Sequence, residues 1–235
     1  MINPIPLDDI IEWDVVNWSK CLDFWEPMIS GIPATARILA LGEQNGGLSL
    51  WLASKGFMVI CSDAPQPSIR ARTIHLRNGV ASRVFYMGVD AFRMPFQDNS
   101  FDVVICKSVI GGLAPVRQDT SARTLTNQSL AVEEIRRILK PGGFFGGAEN
   151  KKATPFHTLL NFVAKSGDVR WRYFEGKDVE FLFRNFTELR QKPYGFFGTR
   201  YRFRWLNKLT GSFDRLLSNC LSPGWLYITF IVARK

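Results

Sequence analysis

At 235 residues, 46% hydrophobic and 22% charged, the chain has the composition of one globular domain with a full core, not that of a disordered chain. No stretch approaches the ~20 apolar residues that span a bilayer, and the opening MINPIPLDDIIEWD lacks the basic and apolar regions of a secretory signal, so a cytoplasmic protein is expected. The net charge of +9 is concentrated: residues 1–150 carry 14 Lys/Arg against 15 Asp/Glu, whereas residues 151–235 carry 16 against 6.

In chain order, Ile11, Val15, Trp18, Leu22 and Trp25 recur at spacings of three and four and predict a helical lead-in over residues 8–30. Arg37-Ile38-Leu39-Ala40-Leu41 is a short apolar run ending in glycines, the pattern of a buried parallel strand. A helix over 48–55 stopped by Gly56, a strand over 57–61 ended by Ser62-Asp63, a helix over 66–79 and a strand over 84–87 follow. Next come a strand over 101–106, a helix over 129–139, and the turn Lys140-Pro141-Gly142-Gly143 leading into a strand over 143–148. Beyond residue 150 the sequence predicts helical pieces over 155–164 and 178–183. Two last strands, over 187–192 and 225–233, flank a basic, aromatic insert at 195–222. Strands and helices alternate at the spacing of right-handed βαβ units, so the expected fold is α/β, a doubly wound, mostly parallel seven-stranded sheet with helices on both faces. One domain is expected over 1–235, with a helical cap (1–34), a cofactor-binding core (35–150) and a basic C-terminal part (151–235) completing the sheet and acceptor site.

Open sheets of this kind bind ligands at the carboxyl ends of their strands. The first such end reads Leu41-Gly42-Glu43-Gln44-Asn45-Gly46-Gly47, where glycine permits a sharp turn and close approach of a ligand to bare backbone. Asp63 follows about 20 residues later, a spacing at which a carboxylate can accept bonds from both hydroxyls of a ribose. These two features alone fit a dinucleotide-dependent oxidoreductase as well as other nucleoside-binding enzymes.

The third and fourth strand ends narrow the choice. Gly88-Val89-Asp90-Ala91, Phe101-Asp102-Val103-Val104-Ile105-Cys106-Lys107-Ser108 and Ile138-Leu139-Lys140-Pro141-Gly142-Gly143 occur in the order found in class I S-adenosylmethionine-dependent methyltransferases, which the chain resembles over residues 36–150. The resemblance implies that Gly42 and Gly46 meet the methionine part of S-adenosyl-L-methionine, Asp63 its ribose, and Asp90 with Ala91 its adenine; Gln44, within the turn, and Lys107, after the fourth strand, are expected to line the same cofactor pocket. Two positions depart from the family pattern: Ala40 replaces the acid within the first strand, and Gln44 replaces the middle glycine of the turn. A protein that binds the cofactor without catalysis is therefore a second alternative. The tryptophan-rich lead-in and Trp171-Arg172-Tyr173 also look similar to methyltransferases of polysaccharide and natural-product clusters, which implies O-methylation of a sugar, glycan or other small molecule.

A hydroxyl acceptor needs a base. His157 and Glu149 are the candidates, because both follow the fifth strand near the carboxyl edge. His75 is expected at a helix surface, and Trp13, Trp18 and Trp25 are either a lid or core. No metal cluster is expected among four scattered cysteines and two histidines. Lys107-Ser108-Val109-Ile110 does not resemble the acidic, proline-rich motif of nucleic-acid amino methyltransferases, so no specific nucleic-acid partner is expected. The basic tail instead suggests an anionic acceptor, such as a lipid-phosphate-linked glycan, or peripheral contact with a membrane.

Overall fold

Seven strands lie in one sheet in the order β3-β2-β1-β4-β5-β7-β6, in a computed structural model that describes residues 5–113, 121–153, 172–198 and 204–235. The strands are β1 (Arg37–Leu41), β2 (Met58–Asp63), β3 (Val84–Gly88), β4 (Phe101–Lys107), β5 (Leu139–Asn150), β6 (Glu188–Tyr194) and β7 (Ile228–Arg234). The first five run parallel, and β7 inserts antiparallel between β5 and β6. The central strands are almost entirely buried because helices cover both faces, which is why their sequences are continuous apolar runs and not alternating ones.

The helices are α1 (Leu7–Ile10), α2 (Val15–Trp18), α3 (Lys20–Ser30), α4 (Gly47–Ser54), α5 (Ile69–Arg77), α6 (Ser121–Ile138), α7 (Asp178–Leu182) and α8 (Arg204–Cys220). Two cores result. One packs α1 to α4 against one face of the sheet, with Trp18, Trp25, Ile38, Leu50 and Phe230 among its members; the other packs α6 and α7 against the opposite face around Phe101, Phe145 and Phe183.

Three sequence expectations are revised. The lead-in is not one helix: it breaks at Asp14, whose backbone is left-handed (φ 47°), and turns again at Ser19. Its stripe still packs inward, because the apolar residues and not the helix axis determine which side is buried. The turn at 140–143 belongs to an irregular start of β5, where pairing with β4 shifts between Phe101 and Val103. The insert at 195–222 contains α8, a 17-residue helix. The helix expected over 155–164 lies outside the described residues, as does His157.

Candidate active site

The parallel register brings the carboxyl ends of β1, β2, β3 and β4 side by side: Asp63 pairs with Gly88, and Leu41 with Cys106. Gly42, Gln44, Gly46, Asp63, Asp90, Ala91 and Lys107 thus all fall along one edge of the sheet.

The turn after β1 is held from several sides. Gly42 and Gly46 adopt left-handed backbone (φ 68° and 76°), and a Cβ on Gly42 would lie 2.4 Å from the Val109 side chain. A Cβ on Gly47 would lie 2.1 Å from the Ile10 carbonyl, so the N-terminal cap packs directly on this turn. Gln44 leaves its side chain exposed, and its carbonyl accepts the Ser68 N–H at 2.8 Å. Asn45 donates to Glu12 and accepts from Ser68.

Two residues that sequence reasoning missed complete the turn. The buried Glu43 carboxylate accepts the N–H groups of Leu48 (3.0 Å) and Ser49 (2.7 Å) and the Ser49 hydroxyl (2.8 Å), so it occupies the N-terminus of α4. Burial raises its pKa, an effect opposed by the bonds from Ser49 and Leu48. His75 is wholly buried, not a surface residue. Its Nε2 donates to the Gly46 carbonyl (2.9 Å) with Ser49 Oγ at 3.2 Å, and its Nδ1 accepts from the Tyr86 hydroxyl (2.8 Å). Burial lowers its pKa, consistent with a neutral ring in that tautomer.

Asp63 is half-buried at the end of β2, with Oδ1 accepting from Ala64 N–H at 2.9 Å, and burial raises its pKa against that bond. A Cβ on Gly88 would lie 2.0 Å from the Pro65 carbonyl, so only glycine lets β3 end so close beside Asp63. Asp90 is exposed and turns one oxygen to the Phe92 N–H; Ala91 is buried beneath it. This is a donor and acceptor set suited to a nucleoside: a carboxylate for ribose hydroxyls, an exposed carboxylate for an adenine amine and a glycine turn.

At the end of β4, Lys107 lies under the N-terminal cap. Its ammonium is 3.2 Å from the Trp13 ring centre and 5.6 Å from that of Trp18. Burial lowers its pKa to about 8, against the raising effect of the acidic groups around it, Glu12, Glu43 and Glu149 among them. Of the three tryptophans weighed as a lid, Trp13 covers this lysine, Trp18 is buried beside it, and Trp25 is core, donating to the Ile231 carbonyl at 3.2 Å. Glu149, expected as a base, is a loop clamp. It is completely buried and accepts N–H from Val109 (2.8 Å), Ile110 (2.8 Å) and Gly111 (3.2 Å), fixing the loop after β4. Burial raises its pKa to about 7 despite those bonds. Arg172 of the basic tail is also internal, paired with Asp178 and bonded to Gln128. No group of three or more metal-ligating side chains occurs among the described residues.

Residues 39–146 match the family model of a methyltransferase domain. Curated relatives include the ubiquinone/menaquinone biosynthesis C-methyltransferase UbiE of Ectopseudomonas oleovorans, 29% identical over 49% of this chain and 63% of that protein. The same enzyme from Azotobacter vinelandii is 30% identical over 63% of this chain and 55% of its own length, and that from Saccharophagus degradans is 39% identical over 49% and 43%. The chain thus spans about half the length of the curated relatives it matches. Among solved structures, phosphoethanolamine N-methyltransferase 2 of Haemonchus contortus, in complex with S-adenosyl-L-methionine, shares the fold with a TM-score of 0.62 and 17% identity, over 93% of this chain and 52% of that one. The [4+2]-cyclase SpnF shares it with a TM-score of 0.57 and 18% identity, over 93% and 82%. The sheet order with antiparallel β7 is that of the Rossmann-like methyltransferase fold, and residues 39–146, which hold the glycine turn, carry the match to a methyltransferase domain.

Proposed function

We propose that this chain binds S-adenosylmethionine at the edge formed by Gly42, Gly46, Asp63 and Asp90, and that it methylates a small acceptor. The observation that carries this reading is the Glu43 carboxylate on the Leu48 and Ser49 N–H groups. In a dinucleotide enzyme the N-terminus of this helix receives a pyrophosphate. Here a buried acid already fills it and would repel one, whereas a nucleoside that carries no phosphate meets no such conflict. Once bound, the cofactor supplies a methyl group activated on a sulfonium. The chain's own contribution is to hold the nucleophile in line with that methyl and to exclude water.

For the acceptor we favour an electron-rich ring carbon over a sugar hydroxyl. The curated relatives are named as C-methyltransferases of quinone biosynthesis. Lys107 against Trp13 also offers a flat, cationic wall, suited to a ring that carries an anionic oxygen. Glu149, committed to three N–H groups, is poorly placed to take a hydroxyl proton. Mass spectrometry of hydroxylated aromatic compounds incubated with protein and cofactor tests this: a gain of one methylene on carbon is expected, and a gain confined to glycan pools would overturn it.

A further inference from the structure

Helix α8 presents a stripe of large apolar residues to solvent and is anchored to the protein through polar ones. Trp205, Leu209, Phe213 and Leu216 are 65%, 48%, 50% and 60% exposed, and their spacing of four, four and three places them on one stripe. The buried positions of the helix are Gly211 and Asp214, with Leu206, Thr210, Leu217 and Ser218 half-buried beside them. Asp214, completely buried, accepts N–H from Phe197 (2.8 Å) and Gly198 (3.1 Å) and a side-chain bond from Asn17, while Ser218 accepts the Gly195 N–H at 3.0 Å. Single exposed apolar residues are ordinary, but a continuous helical stripe of them marks a docking surface.

The charges on this surface have one sign. Lys208 and Arg215 are exposed along one flank of the stripe, and the helix's sole acid, Asp214, points inward. Trp225, in the turn after the helix, is also 41% exposed. A second copy docked stripe to stripe would bring the same two cations toward their symmetry mates, which disfavours self-association. An anionic surface faces no such penalty.

We propose that α8 is an interfacial helix that lays Leu209, Phe213 and Leu216 into the surface of an anionic lipid bilayer, with Lys208 and Arg215 meeting lipid phosphates. The Asn17–Asp214 bond ties the inner side of α8 to α2, whose Trp18 lies beside Lys107, and leaves the apolar stripe on the opposite side of the helix. Docking depends on the helix and not on which acceptor is methylated.

The test is flotation of the full chain with vesicles of phosphatidylcholine alone or mixed with phosphatidylglycerol. The wild type is expected to float with the anionic vesicles, to stay behind with the neutral ones, and to release as salt rises. The L209S/F213S variant should partition about tenfold less or weaker still. Its S-adenosylhomocysteine binding should not change, and its melting temperature should fall by only a few degrees, because both side chains are about half exposed. Lys208→Glu with Arg215→Glu should lose the preference for anionic vesicles and serves if the first variant fails to fold. Absence of wild-type binding to anionic vesicles, or equal binding by both variants, would overturn the proposal. So would a wild-type dimer that the L209S/F213S variant dissolves, since the stripe would then be an interface between copies.

Discussion

The Lys107 ammonium sits 3.2 Å from the centre of the Trp13 ring, so the end of β4 and the N-terminal cap meet through a cation on an aromatic face. Burial holds the lysine's pKa near about 8, well below its ordinary 10.5. Between these two values the unfolded chain binds the proton that the folded chain has released, so stability rises with pH across that window and is flat below it. Lys107→Met should abolish this rise and stabilise the protein near neutrality by on the order of 1 kcal/mol, since relief from burying a charge outweighs one lost cation–π contact. Urea midpoints measured from pH 7 to pH 11 check both effects. The variant should also lose methyl transfer to an anionic acceptor.

Glu149 behaves in the opposite sense. Its folded pKa, about 7, lies above its ordinary 4.5, so its contribution to stability is fully present below pH 4.5 and is lost as pH rises through 7. Glu149→Gln, which keeps one acceptor oxygen, should flatten that slope and retain most turnover. Glu149→Ala leaves three backbone N–H groups without an acceptor and should cost about 3 kcal/mol. Denaturation of both variants at pH 5 and pH 8 separates the two effects.

His75 holds the glycine turn through the Gly46 carbonyl, and a Cβ on Gly46 would lie 2.7 Å from the His75 ring. His75→Ala should destabilise the fold by about 1–3 kcal/mol and weaken S-adenosylhomocysteine, because Gly46 loses its restraint. Gly46→Ala should do the same through strain at φ 76°. Thermal melts with and without S-adenosylhomocysteine report both changes.

His157 separates the two acceptor chemistries. If the acceptor is a ring carbon, His157→Ala should leave turnover nearly unchanged. A hydroxyl acceptor that relies on this base would instead lose roughly 10²–10⁴-fold, with cofactor affinity intact in either case. Steady-state kinetics on an identified acceptor decides.

The succession of strands along the chain was legible because each buried parallel strand is a short apolar run, closed by glycine or aspartate as at Leu41-Gly42 and Ser62-Asp63. That Gly42, Asp63 and Lys107 lie along one edge of the sheet followed from those ends. Roles set by distant partners were not legible. His75 lies on a helix whose sequence is polar on most sides, and only its encounter with Gly46 and Tyr86 buries it. Glu43 gives no capping signal because it reaches forward to a helix that begins four residues later. Glu149 could be placed at the edge from its strand, but its commitment to the loop after β4 depends on a neighbouring strand's path. Helix α8 was obscured because its apolar stripe faces outward, so a basic, aromatic segment masked a regular spacing.

Calorimetric titration of S-adenosylhomocysteine and of a nicotinamide dinucleotide into the wild type and Asp63→Ala tests the central claim most directly. The account predicts that S-adenosylhomocysteine binds, that the dinucleotide does not, and that Asp63→Ala weakens binding by about 1.5–3 kcal/mol, or roughly 10- to 150-fold. Dinucleotide binding by the wild type, or unchanged S-adenosylhomocysteine affinity in Asp63→Ala, would contradict it.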